Sequence, residues 1–323
     1  MPIAAVETAY DSLGNSREFS CTKGNPTIGE KEEARILRCS DLGVGTHDFR
    51  GSDSQFLNRP YIRNPPKPWD RSGVSAHANT LEVAKFINEV LEQNGIDDNG
   101  IGYTSFVHYP EDNAFWHPAY NVFAYGIRKD ETEGDISYAA SISIVAHEIF
   151  HGVTHYVAGL GCEGQSGALN ESYSDIFGIL LSNRREANIA EWSWELGIQP
   201  GPQYAGFPVR DLSAPSTTNQ PEHMERYVKT KEDQGGVHIN NGIHNKAAYN
   251  LLTSKRADGR YIFDADTAGL LFYLALRRLS RYSEFSDSRR ALMFEASNCF
   301  RRDDRYREAV AAINVAFDSV GIR

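Results

Sequence analysis

The sequence predicts an α+β fold of two lobes, the first β-rich and the second mainly α-helical, joined through one central buried helix. Three observations carry this reading. Residues 1 to about 70 read as short runs divided by turn signals. Residues 139–156 hold an apolar helical stretch in which Ile142, Ile144, Val145, Ile149 and Phe150 surround three histidines and a glutamate. From Asn240 onward apolar residues recur at helical spacing to the end of the chain. A length of 323 residues is enough for two domains around a sizeable core. The boundary is placed after the central helix, giving lobes at 1–156 and 157–323.

Taken in order, Asp-Ser-Leu-Gly-Asn at 11–15 is a turn signal among runs such as Glu18–Cys21 and Arg35–Arg38. Cys21 and Cys39 lie on these runs and are either a hairpin bridge in an exported protein or two reduced, half-buried thiols. Cys162 and Cys299 are too far apart in sequence to assign. Arg59 to Asp70 carries four prolines and reads as an extended, irregular loop. Leu81, Ala84, Phe86, Ile87, Val90 and Leu91 predict a helix between Ser75 and Asn94, with Asn79 or Thr80 as cap and Gly95 as stop. Asp97-Asp98-Asn99-Gly100 reads as a tight turn rather than a calcium loop, because the glutamate that closes such a loop is missing. Strand character returns at Tyr103–Tyr109. The charged run Arg128–Asp135 reads as a solvated loop.

The central helix carries His147, Glu148 and His151 in the pattern H-E-x-x-H. Side chains four apart share one helix face, so both imidazoles can hold one metal ion, with Glu148 beside them. Two core histidines bonded to the backbone would satisfy the short pattern equally well. The next helix tips the balance. Glu171 and Asp175 lie one turn apart among Leu169, Tyr173, Ile176, Phe177 and Leu180, which is poor company for a solvated face. Glu171 can complete a two-histidine, one-carboxylate zinc site with an open fourth position. Asp175 can then accept a hydrogen bond from the far nitrogen of a ligand histidine.

With these segments in view, the chain resembles the thermolysin-like family of zinc metallopeptidases, the neutral proteases of gluzincin type. The matching segments are Asn113-Ala114-Phe115-Trp116, the helix around His147, Asn170 to Asp175, and Gly235 to Ile243. Ala316 to Gly321 matches more weakly, and the first seventy residues only loosely. The resemblance implies a two-lobed zincin fold with the active-site cleft between the lobes, a Zn2+ cofactor and hydrolysis of internal peptide bonds in peptides or proteins. It implies that His147, His151 and Glu171 bind the metal, with Asn170 and Asp175 supporting them. Glu148 becomes the general base and His238 the donor to the oxyanion, with Asp233 orienting His238. Asn113, Ala114 and Arg210 become substrate-binding residues, the first two on an edge strand to which a peptide adds. Phe115 and Trp116 read as core aromatics, and His155 and His244 as structural. Asp135 and Tyr138 stand near the apolar pocket beyond the scissile bond, where they would shift preference towards polar or basic side chains.

Two departures qualify the resemblance. Cys162 stands where the family has a tyrosine that assists the oxyanion, and a thiol is a weak donor. Turnover is therefore expected to be lower, and sensitive to oxidation if Cys162 is exposed. The family's paired calcium site draws on acids at positions held here by Ser143 and Ser182, leaving Glu195, so that site is expected to be absent. The rival readings are an aminopeptidase-type gluzincin, for which no segment gripping a substrate amine is visible, and a catalytically weak or inactive zinc protein used as a binding module. The C-terminal helices predict core faces at Ala247, Ala248, Leu251 and Leu252, at Leu270, Leu271, Tyr273, Leu274 and Leu276, at Ala291, Leu292 and Phe294, and at Ala309, Val310, Ile313 and Phe317.

The net charge of −10 leaves no basic footprint for nucleic acid, and no apolar run reaches membrane-span length. No leader is visible at the start. The expectation is a secreted, extracellular monomer acting on peptide or protein substrates, the secretion being what the resemblance implies.

Overall fold

The turn at residues 11–15 closes a hairpin because Asp11 Oδ1 accepts from the backbone N–H groups of Leu13 and Asn15, each at 2.9 Å, while Gly14 takes φ 80°. The computed structural model describes residues 4–23, 34–50, 56–57, 59–64, 68–129, 135–197, 209–302 and 305–323. The middle of the charged loop, residues 130–134, and part of the proline-rich loop, residues 65–67, lie outside these. Two compact units emerge, one running to Gly152 and one beginning at Val153.

The first unit opens with the hairpin β1 (Ala4–Tyr10) and β2 (Ser16–Lys23), followed by β3 (Arg35–Ile36), β4 (Arg38–Cys39), β5 (Val44–Asp48) and β6 (Arg63–Asn64). One sheet has the order β1-β2-β3-β6, antiparallel throughout. Cys21 and Cys39 are both buried free thiols, so the reduced reading holds, and burial pushes the Cys21 thiol up to about 11.

Helix α1 spans Arg71–Glu89 and packs against β2 and β5. It begins earlier than its apolar spacing suggested. Asp70 is the cap, its side chain accepting from Gly73 N at 2.9 Å, whereas Asn79 is buried and donates to the carbonyl of Ala139 at 2.8 Å. The helix ends at Val90, and Gly95, at φ 72°, serves the following turn, where a side chain would strike the carbonyl of Ile101. That turn is tight: Asp97 Oδ1 accepts from Asn99 N and Ile101 N.

Next come β7 (Tyr103–Val107), β8 (Ala114–His117), β9 (Val122–Tyr125), β10 (Ile127–Arg128) and β11 (Ile136–Ser137). A second sheet runs β4-β5-β7-β9-β8, with β5, β7 and β9 parallel and β8 antiparallel to β9 at the edge. Beyond β7, His108 takes φ 61° and is held by Asp48 at 2.9 Å and Asp70 at 3.3 Å. Helix α2 spans Ile142–Val157, with Ile144, Val145, Ile149 and Phe150 buried and Ile142 half-buried.

In the second unit, α3 (Gly164–Asn183) packs against α4 (Asp233–Leu252), α5 (Ala265–Leu276) and α6 (Phe285–Cys299), while α7 (Tyr306–Asp318) packs against α4 and α6. The short strands β12 (Glu195–Leu196) and β13 (Arg210–Asp211) pair antiparallel. Leu169, Tyr173, Ile176, Phe177 and Leu180 are fully buried, as their spacing required. Phe294 is a correction. It is 50% exposed, with the Arg278 guanidinium 3.7 Å from its ring centroid, and α6 turns Phe285, Leu292 and Ala296 inward instead. Leu270, Leu274 and Val310 are half-buried. His244 is buried between Ser172 at 2.7 Å and Ser288 at 2.8 Å, and burial lowers its pKa to about 3. His155, expected to be structural, is exposed at the end of α2. Among the described residues no helix is long and apolar enough to cross a membrane.

Candidate metal centre

α2 carries His147 and His151 one turn apart with Glu148 beside the first, and at Gly152 it packs against the second sheet. A side chain at Gly152 would meet the rings of Phe123 and Trp116 at 3.4–3.5 Å. His147 is 4% exposed and Glu148 is 7% exposed, while His151 is half-buried. The two imidazole Nε2 atoms stand 2.9 Å apart. Burial, helped by the negative charge of Glu148, pushes the Tyr125 hydroxyl well above its ordinary range.

α3 carries Glu171, and the ligating atoms of His147, His151 and Glu171 all lie within 4.8 Å of one another, the only such group of three among the described residues. Two neutral nitrogens and one carboxylate oxygen form the three-ligand set of a catalytic zinc. Two imidazole nitrogens at hydrogen-bond distance on a mostly buried helix face gain most from a shared cation, so these residues fit the metal.

Glu171 is also flanked by an imidazole and a guanidinium. His238 Nε2 is 3.3 Å from its Oε2, and Arg210 Nη2 is 3.9 Å away. Arg210 is buried on β13, with Nε 2.8 Å from Asp175 Oδ2. Asp175 also accepts from Asn241 and Asn245 on α4, each at 2.8 Å. Asn170 is half-buried next to Glu171 in α3.

His238 stands on the first turn of the regular part of α4, just past a hinge in which Gln234, Gly235 and Gly236 take φ 47°, 89° and 76°. Asp233, also at positive φ, is folded back by the hinge. Its Oδ1 is 2.6 Å from His238 Nδ1, and its Oδ2 accepts from His238 N at 2.8 Å. Both ring nitrogens therefore face carboxylate oxygens, one from Asp233 and one from Glu171.

Asn113 and Ala114 lie at the start of the edge strand β8. The exposed Asn113 folds its side-chain oxygen onto Ala114 N at 2.9 Å, and its own carbonyl accepts from Gly126 N at 2.8 Å. Phe115 and Trp116 are half-buried, packed edge-on to Tyr109 and tilted over Phe123 respectively. Asp135 is exposed, whereas Tyr138 is half-buried and donates to Asp112 at 2.8 Å. Burial and Asp112 push the Tyr138 hydroxyl up to about 12. Cys162 is exposed. Ser143 is bonded to Ser141 at 2.9 Å and Ser182 donates to the carbonyl of Ile179 at 3.0 Å.

Sequence reasoning missed four residues that hold this site in place. Asn241 and Asn245, one turn apart on α4, carry Asp175. Gln220 donates to the carbonyl of His238 at 2.6 Å and to Asn241 at 2.7 Å. Asn240 bridges Val228 and Gly235. The spacing of Asn241 and Asn245 was visible, but their partner, distant in sequence, was not.

Comparison with known proteins follows the same lines. The family description "Thermolysin metallopeptidase, catalytic domain" matches residues 7–155, and "Thermolysin metallopeptidase, alpha-helical domain" matches residues 158–322. Bacillolysin of Brevibacillus brevis is 33% identical over 98% of this chain and 57% of its own length. Neutral protease B of Bacillus subtilis is 33% identical over 98% of this chain and 58% of its own. The chain thus spans somewhat over half the length of these curated relatives. Among solved structures, the precursor of protealysin, a metalloproteinase from Serratia proteamaculans, aligns with a TM-score of 0.72 at 29% identity, covering 86% of this chain and 87% of that one.

Proposed function

The chain belongs to the thermolysin family of metallopeptidases, and from that premise we propose that it is a zinc-dependent endopeptidase in which Glu148 activates the attacking water. The observation that carries the proposal is the meeting of two imidazoles and one carboxylate within 4.8 Å, with Glu148 next in sequence to the first of them. When bound there, zinc supplies a Lewis acid that polarises a carbonyl and brings the pKa of a coordinated water to about 7.

The chain's own residues supply the rest. Glu148 takes the proton of the attacking water and delivers it to the departing amine. His238, gripped at Nδ1 by Asp233, points Nε2 towards Glu171 and so towards the metal side of the site, where it can donate to the developing oxyanion. Arg210, anchored to Asp175 and with Nη2 3.9 Å from Glu171, places a guanidinium beside the metal ligand, a group suited to binding a substrate carbonyl. β8 offers an edge to which an extended peptide can add, beginning at Asn113 and Ala114. The natural substrates in this reading are peptides or proteins, met outside the cell as for a secreted protease. Ser143 and Ser182, neutral and engaged in local bonds, support a lobe without the paired calcium site. The lobes are placed at 1–156 and 157–323, and Asp135 with Tyr138 would admit polar or basic side chains beyond the scissile bond. Retention of both Glu148 and His238 weighs against a catalytically silent binding module.

The test is direct. The purified protein should cleave casein and stop doing so in a zinc chelator, while Glu148→Gln should bind one zinc per chain by elemental analysis and cleave nothing. Substantial turnover by that variant would exclude Glu148 as the base. Metal-free material with full activity would exclude zinc.

A further inference from the structure

A groove of about 440 Å3 opens in the second unit, lined by Gly164, Gly235 and the run 227–231, which includes Lys229 and Lys231. None of these residues is a metal ligand, and neither lysine has been given a role above. Both lysines are exposed, and neither has an ion-pair partner among the described residues. Several arginines of this unit are paired instead: Arg184 is bonded to Asp266, Arg256 to Glu308 and Arg289 to Asp318, at 2.7–2.9 Å. The described lining holds no carboxylate. In a chain of net charge −10, the lining itself presents two ammonium groups and no carboxylate, with Glu232 and Asp233 following Lys231 directly in sequence.

The groove is fixed to the hinge that sets His238. Asn240, fully buried, accepts from Val228 N at 2.8 Å and donates to the carbonyls of Val228 at 2.9 Å and Gly235 at 3.4 Å. Gly235 lies against Gly164, where an added side chain would meet its nitrogen at 3.1 Å. The hydrogen bonds that Asp233 accepts from His238 span this same Gly235. Three residues of chain reach at most about 11 Å, so the groove's edge stands no further than that from His238. An extended peptide advances about 3.3 Å per residue, so about three residues span the distance from His238 to that edge of the groove.

Resting on the peptidase reading above, we infer that this groove is a specificity subsite that takes an acidic side chain, Asp or Glu, of the peptide substrate through Lys229 and Lys231. Exposed ion pairs of this kind are modest and salt-sensitive, so a preference of about fivefold at low ionic strength is the scale expected.

The test uses labelled peptides in which Glu is moved through the three positions on each side of a cleavable bond, each with a Gln twin. Binding is measured by fluorescence anisotropy to the zinc-loaded Glu148→Gln protein, which holds peptide without consuming it. At one position the Glu peptide should bind about fivefold tighter than its twin, and the difference should shrink with added salt. It should vanish in a protein that also carries Lys229→Gln and Lys231→Gln, with affinity for the Gln twin unchanged. Each lysine substitution alone should remove part of the difference, which keeps the test open should the double variant fold poorly. Equal affinities at all six positions, or a preference that survives both substitutions, overturn the inference. Cleavage of the Gln twin by the unsubstituted protein is read separately. If no peptide is cleaved while the Glu preference stands, the peptidase reading falls and the groove does not.

Discussion

Of the residues assembled around the metal centre, His238 carries the sharpest expectation. Its Nδ1 is fixed by Asp233 at 2.6 Å and its Nε2 faces Glu171 at 3.3 Å, so its orientation is set before any substrate arrives. A preorganised donor of this sort typically contributes on the order of 100-fold to the chemical step. His238→Ala should therefore lower kcat by about that factor, with KM and zinc content little changed, because the residue is no metal ligand. Asp233→Asn should lose less, since it keeps a side chain able to bond the ring while removing the carboxylate that stands 2.6 Å from Nδ1. Unaltered kcat in His238→Ala would assign oxyanion stabilisation elsewhere. Cys162 does not fill that role well, being an exposed thiol and a weak donor.

At the scale of the element, the hinge at the start of α4 decides where His238 stands. Gly236 takes φ 76°, and an added Cβ would come within 2.9 Å of Asn240 Nδ2, the side chain that clamps Val228. Gly236→Ala should therefore shift the first turn of α4, lower kcat at least tenfold and leave zinc bound, a pattern read by kinetics with metal analysis. A variant with wild-type kcat would mean that the hinge does not position the histidine. This element also shows what sequence could and could not reveal. Two consecutive glycines before a histidine announced an irregular backbone, but nothing local distinguished a loop from a hinge inside one helix. α1 teaches the same lesson, since Asp70 outcompetes Asn79 as cap because Asn79 is claimed by the carbonyl of Ala139, sixty residues away. Phe294 satisfied the helical period yet lies outside, where Arg278 covers it. The metal ligands were legible because i and i+4 spacing on a helix is a local fact. The asparagines that hold Asp175 were not, because their partner lies on another helix.

Across the whole molecule, three histidines that are not metal ligands set how stability varies with pH. His77 and His244 are fully buried, and burial lowers their pKa values to about 4 and about 3. The unfolded chain would protonate both near 6.5, so it binds more protons than the folded chain once pH drops below that value. Their contribution is thus fully present above 6.5 and is lost progressively down to about 4 and about 3. His108 behaves in the opposite sense. Burial opposes its charge, but Asp48 and Asp70 on its two ring nitrogens, with Arg50 bonded to Asp48, leave its pKa raised to about 9. Its contribution is complete below 6.5 and fades as pH climbs through about 9. Each such group alters stability by at most about 1.4 kcal/mol per pH unit inside its window. The melting temperature should therefore fall on both sides of a plateau near pH 6.5. His77→Gln, able to keep a bond to the Ser20 carbonyl that His77 Nε2 meets at 2.8 Å, should flatten the acid limb between 6.5 and 4. His108→Gln should flatten the limb between 6.5 and 9 while lowering the plateau. Melting curves collected from pH 4 to 9 on the zinc-loaded proteins separate the two, and an acid limb unchanged by His77→Gln would place the acid sensitivity in other groups.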